Sequence, residues 1–144
     1  MVFANIRNNK IIDFNSTYLD KDIIRVETTQ EMYNAYLEDG SKVIYQDGAV
    51  ILNPNYEEEQ EEKERERINK LSLTKREVFL ALYNDKGITP EQIKAKIEEP
   101  QALIEFEYAN DYFRGNPLID LIGKALGYTP EELDYLFING KLSL

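Results

Sequence analysis

The chain has no histidine, no cysteine and no tryptophan among its 144 residues. Without cysteine there is no disulfide, no thiol nucleophile and no thiolate metal site. Without histidine, the side chain that most often moves protons near neutral pH is missing as well. Long apolar runs are absent too. The longest, Val78 to Tyr83, falls far short of a membrane span. The opening residues, MVFANIRNNK, hold no apolar stretch of signal-peptide length. These absences predict a soluble, intracellular protein.

Clustered cations are the next absence. Asp and Glu number 27 against 17 Lys and Arg, a formal charge of −10. Residues 1–54 carry 8 acidic and 5 basic side chains, 55–70 carry 7 and 4, and 71–144 carry 12 and 8. No segment is basic, so direct binding to nucleic acid or anionic lipid is disfavoured, because phosphate binding needs grouped cations. The helical second half invites comparison with a helix-turn-helix, but Lys94 and Lys96 are offset by Glu91, Glu98 and Glu99. A basic protein surface is the better partner, including one that ordinarily holds nucleic acid.

Catalytic motifs are missing in the same way. There is no P-loop, dinucleotide fingerprint or triad pattern. The paired carboxylates Glu98–Glu99, Glu105/Glu107 and Glu131–Glu132 sit at helix ends or alternate around a helix, with no apolar setting to raise a pKa. Asp20-Lys21-Asp22 starts like a calcium loop but lacks the Gly and the closing Glu. The expectation is a protein without catalytic residues, cofactor or metal: not an enzyme.

What is present suffices for folded cores: 42% hydrophobic residues, including ten Tyr and six Phe. The pattern predicts an α+β chain in three parts, a β-rich unit at 1–54, a charged helical linker at 55–70 and a helical domain at 71–144. In the first, Val2–Ile6 and Ile11–Phe14 flank an Asn8-Asn9 hairpin turn. Asn15-Ser16-Thr17 reads as turn chemistry rather than a glycosylation site. Asp22–Glu27 is a strand, and Thr28 to Glu31 forms a capping box for a helix through Leu37. Val43–Tyr45 and Ala49–Leu52 make a second hairpin around Asp47-Gly48. The unit is therefore an antiparallel β-β-β-α-β-β.

The second half predicts an all-α unit of about five short helices. Ser72 or Thr74 caps the first, which runs through Tyr83 toward Gly87. Thr89-Pro90-Glu91-Gln92, Asn116-Pro117 and Thr129-Pro130-Glu131-Glu132 each combine an N-cap with Pro at the first helical position. The stretches from Gly87 and Gly127 echo each other forty positions apart, which shared helix-start grammar explains without a repeat. A helix from Gln101 to Phe113 is expected in the core, with Leu103, Phe106 and Phe113 on one face and Ile104, Tyr108 and Tyr112 as an adjacent stripe. Leu118 to Leu126 reads the same way. Ile93 and Ile97 mark a narrow stripe on a surface helix.

Tyr56 to Lys70, YEEEQEEKERERINK, is polar on almost every side. Glu59–Lys63 and Glu61–Arg65 sit at supportive i,i+4 spacing and Glu62–Glu66 opposes them. A helix of this kind is expected to be a solvated bridge between packed units. Glu57, Glu58, Glu59, Glu61, Glu62, Glu64 and Glu66 are its candidate partner contacts, because carboxylates pair with the Arg and Lys that otherwise hold phosphate.

The opening VFANIRNNKIIDF, the helix TTQEMYNAYLEDG, the hairpin KVIYQDGAVIL and the Glu-rich bridge resemble small phage and prophage proteins of the tail module from low-GC bacteria. LTKREVFLALY, ALIEFEYANDYFRGNPLID and LGYTPEELDYLF are similar to C-terminal regions of such prophage proteins. The resemblance implies a phage-encoded binding protein, in the host cytoplasm or on the virion. Two roles follow from it. One is an acidic inhibitor that occupies a basic nucleic-acid channel of a host defence nuclease, as anti-CRISPR proteins do. The other is a structural or assembly role in the tail, although fibre proteins normally continue into long repetitive sections.

Overall fold

The computed structural model describes residues 1–142. The α+β architecture is as expected: among the described residues there are a small antiparallel β unit with one α-helix and a short 3-10 turn (Gly40–Lys42), a charged helix, and five further α-helices. The chain divides into two compact units, residues 1–61 and 62–144. The boundary falls inside the charged helix, so each unit is built with one part of it.

In the first unit, β1 (Val2–Arg7) lies between β2 (Lys10–Phe14) and β3 (Ile24–Thr28), antiparallel to both. Asn8 and Asn9 adopt the positive φ values of 52° and 60° that a two-residue hairpin turn needs. Alternation along β1 sends Ala4 and Ile6 to the core and Asn5 to the opposite face. Asn5 is nevertheless buried, because its amide donates to the Asp13 carboxylate at 2.7 Å and to the Ser16 carbonyl at 2.9 Å. Asn15, at φ 61°, accepts from the Phe3 N–H, so the sequon is turn chemistry here.

Helix α1 (Gln30–Glu38) covers the core through Met32, Tyr33, Ala35 and Tyr36, with Phe14 against both tyrosine rings. Its cap is Thr29, whose hydroxyl accepts from the Met32 N–H. The box expected from Thr28 to Glu31 does not form, since Thr28 is held in β3 opposite Val2. The strands β4 (Val43–Gln46) and β5 (Ala49–Leu52) pair around Asp47-Gly48, and Val43 and Val50 complete the core.

Helix α2 spans Tyr56–Asn69. It does not run on into the next helix, because β6 (Ser72–Thr74) follows. Helix α3 (Lys75–Lys86) is capped by Thr74 and closed by Gly87 in the left-handed conformation. Helix α4 (Pro90–Ala95) and helix α7 (Pro130–Asn139) both begin with complete capping boxes, at Thr89 with Gln92 and at Thr129 with Glu132. Between them come α5 (Pro100–Tyr108), β7 (Asp111–Phe113) and α6 (Pro117–Leu126), the last capped by Asn116. Ile93 anchors α4 in the core while Glu91, Gln92 and Lys94 stay exposed, as a surface helix requires.

The expected all-α character of this unit is modified by one ribbon. β6 and β7 pair antiparallel, with Leu73 opposite Tyr112. The helix predicted to reach Phe113 stops at Tyr108, and tertiary partners take over its last carbonyls. The buried Tyr112 hydroxyl donates to the Phe106 carbonyl at 2.8 Å, and the Lys75 ammonium donates to the Glu107 carbonyl at 2.6 Å. Burial pushes the Tyr112 phenol up to about 12. The break also undoes the expected stripe. Tyr112 is buried on the strand, whereas Ile104 is 59% exposed, Tyr108 77% and Phe113 53%. Phe106 alone of α5 is fully buried, with Leu103 partly so. On α6, Leu118 and Ile119 are buried and Leu121 and Ala125 are exposed.

Tyr112→Phe removes the donor and leaves the Phe106 carbonyl buried without it. Urea unfolding should show a loss of about 1 kcal/mol, since that is the usual net value of one such bond.

Candidate functional site

The candidate carboxylates lie on α2, which begins after Asn53-Pro54-Asn55. Asn53 is buried and organises this entry: its amide donates to the Ser41 carbonyl at 3.0 Å and to the Glu59 carboxylate at 2.9 Å. Its side-chain oxygen Oδ1 accepts from the Asn55 N–H. The Tyr56 hydroxyl donates to Asp39 at 2.9 Å, which raises the Tyr56 pKa. Three acidic residues, Glu57, Glu58 and Glu59, occupy the first turn, where the helix dipole favours them.

At 3.6 residues per turn the seven carboxylates do not form one row. Glu57, Glu61 and Glu64 share one side, Glu59, Glu62 and Glu66 share the roughly opposite side, and Glu58 lies between them. Two are engaged within the chain. Glu59 is half-buried on Asn53, and Glu64 accepts hydrogen bonds from Nε and Nη2 of Arg67, which hold its carboxyl below the ordinary range. Glu57, Glu58, Glu61, Glu62 and Glu66 are exposed. The expected Glu61–Arg65 pair is replaced, because Arg65 is taken by Asp134 on α7. Glu59 likewise turns to Asn53 rather than Lys63.

The strongest electrostatic feature of the second unit lies elsewhere, and sequence reasoning missed it. Arg114, only 4% exposed, follows β7 in a turn and donates to Asp134 at 2.7 Å, to Asp120 at 2.9 Å and to the Pro130 carbonyl at 3.4 Å. Arg65 closes on both oxygens of the same Asp134 at 2.8 Å. The turn needs Gly115, because a Cβ there would lie 2.9 Å from Cβ of Asn69. Hydrogen bonds from Arg65, opposed by burial and reinforced by Arg114, hold the Asp134 carboxyl below its ordinary value. Every donor group is matched, so the cluster is a structural lock rather than a reactive site. The available signal was Arg114-Gly115-Asn116, a cation inside a turn between two apolar segments.

Other polar clusters are equally satisfied. Tyr18 donates to Asp13, and Arg7 pairs with Asp20, whose other oxygen accepts from the Asp22 N–H. Asp20-Lys21-Asp22 is thus a turn. The Tyr128 hydroxyl donates to Asp85 at 2.7 Å, and burial followed by that bond raises its pKa. Among the described residues no group of three or more Asp or Glu is placed to hold a metal ion, and no helix is long and apolar enough to cross a membrane. A small cavity in the helical unit is walled by Leu82, Ile119, Leu136 and similar side chains, and its hydroxyls, Tyr112 and Tyr128, are both committed. No known protein family, curated protein or solved structure matches the chain.

Asp134→Ala should destabilise the helical unit by about 3 kcal/mol, because it removes the carboxylate shared by Arg65 and the buried Arg114 and leaves Arg114 only the more exposed Asp120. Since the native Asp134 pKa is depressed, its contribution is present above the unfolded value of 3.8 and is lost as pH falls through the native one. Urea melts between pH 5 and pH 3 should therefore show a steeper loss for the wild type than for Asp134→Asn.

Proposed function

We propose that this is a phage- or prophage-encoded protein that works by binding another protein and carries out no catalysis. In the leading reading it is an acidic inhibitor, of the anti-CRISPR kind, that occupies a basic nucleic-acid-binding surface of a host defence nuclease. The supporting observation is α2: Glu57, Glu58, Glu61, Glu62 and Glu66 are exposed, while Glu59 and Glu64 are spent on local contacts. Carboxylates in this state can accept the forked hydrogen bonds that Arg side chains otherwise give to phosphate. Charge complementarity of this sort would speed encounter and select the partner.

The lack of histidine and cysteine supports a non-catalytic role, as does the commitment of the buried hydroxyls and carboxylates to internal partners. The resemblance to tail-module proteins supports the phage origin.

A second reading, structural or assembly work in a phage tail, draws support from the exposed apolar side chains of the helical unit, Ile104, Tyr108 and Phe113. Contacts made through those groups would resist salt, whereas contacts made through α2 would weaken as the screening length shrinks to about 3 Å near 1 M.

The test is affinity capture from host lysate, with and without an induced prophage, washed at low and high salt and read by mass spectrometry. Under the leading reading a nucleic-acid-directed nuclease is recovered and is lost at high salt. The variant with Glu57, Glu58, Glu61, Glu62 and Glu66 all changed to Lys should then fail to capture it. Unchanged capture by that variant would remove α2 as the contact, and salt-resistant recovery of virion proteins would favour assembly.

A further inference from the structure

Helices α5 and α6 flank a shallow groove lined by four apolar residues, two carboxylates and the amides of Gln101 and Asn116. Ala102, Pro117, Leu118 and Leu121 line it together with Glu99 and Glu105. Leu118 is buried beneath it, while Leu121 remains exposed. No cation lines the groove. The other carboxylate of α5, Glu107, is paired with Lys94, but Glu105 and the N-cap residue Glu99 have no ion-pair partner among the described residues. They are separated by about 9 Å along the helix at 1.5 Å per residue.

The outer side of α5 continues the same surface. Tyr108 stands three residues beyond Glu105 and Ile104 four before Tyr108, so helical spacing puts all three on neighbouring positions. Two large apolar side chains this exposed on one helix, beside the apolar lining of the groove, form a patch that folding of the unit does not explain.

We propose that the α5/α6 groove and the Ile104–Tyr108 stripe are a docking surface for a protein segment that combines apolar and basic residues, separate from the acidic helix α2. An apolar side chain of the segment would sit on Leu121 and Ala102, and Lys or Arg to either side would meet Glu99 and Glu105. Charge selects this occupant. A nucleic acid or anionic lipid would be repelled by the two carboxylates. A second copy of this chain would bring a formal charge of −10 to a surface already acidic. The apolar lining in turn selects against a purely cationic segment.

The probe is a synthetic amphipathic helix of Leu and Lys, titrated into the isotope-labelled full chain and followed by amide chemical shifts. Two control peptides replace Lys by Glu or Leu by Ser. The expected result is saturable shifts across Gln101–Tyr108 and Leu118–Leu121 with the Leu/Lys peptide only. Glu99→Lys with Glu105→Lys should weaken that binding roughly tenfold or more, and Tyr108→Ser should weaken it as well. Changing the exposed α2 carboxylates to Lys should leave it within about twofold. All of these positions are exposed, and thermal melts matching the wild type would show that the fold is kept. The proposal is overturned by shifts confined to α2, by equal binding of the Lys/Ser peptide, by indifference to the Glu99/Glu105 reversal, or by no shift at millimolar peptide.

Discussion

Burial of the Arg114 guanidinium sets the terms for the helical unit. A charge removed from water is tolerated only when its partners are close and its donors are filled. Asp134, Asp120 and the Pro130 carbonyl meet that requirement, and each comes from a different point of α6 or α7. Arg65 adds a second cation to Asp134 and so fastens the last turns of α2 within the same unit. The neighbouring backbone is stitched in parallel, with the Arg114 N–H on the Leu71 carbonyl and the Gly115 N–H on the Asn69 carbonyl. The end of α2, the Arg114 turn, α6 and α7 thus meet at one ion cluster, in a unit whose core includes Leu82, Ile93, Phe106, Leu136 and Phe137.

The first unit solves a different problem, that of a small core with little area to bury. Its interior depends on Ala4, Ile6, Phe14, Val43 and Val50, with the two tyrosines of α1 closing over Phe14. The opposite face of the sheet is held by polar chemistry instead. Asn5, Asp13, Tyr18, Arg7 and Asp20 tie down the loop between β2 and β3. Asn53 plays a corresponding part at the start of α2, linking Ser41, Glu59 and Asn55.

These locks shape what is left over for function. Many of the titratable groups with buried or perturbed settings are engaged in bonds inside their own unit. The surface offers two kinds of material: carboxylates on α2 and exposed apolar groups beside carboxylates on α5 and α6. They differ in how salt should act on them, since one relies on charge alone and the other on burial of apolar area.

Much of the fold was legible in the chain because it is written in local terms. Turn conformations at Asn8-Asn9 and Asp47-Gly48, capping boxes at Thr89 and Thr129, and left-handed ends at Gly87 and Gly127 are each decided within a few residues. The absence of His and Cys, read directly from the sequence, removes imidazole and thiol chemistry. The candidate site was legible only in part: the acidity of α2 is a sequence fact, but which carboxylates stay free depends on Asn53, Arg67 and Asp134. Tertiary structure alone ended α5 at Tyr108, where a distant lysine and a following tyrosine capture its final carbonyls. It also turned an expected core stripe into the exposed pair Ile104 and Tyr108. Periodicity reports that a helix has apolar sides, but which side is covered depends on what else arrives there. Arg114 shows the same division. Its residue type marked a surface position, and only acceptors brought from α6 and α7 compensate its charge where it is buried.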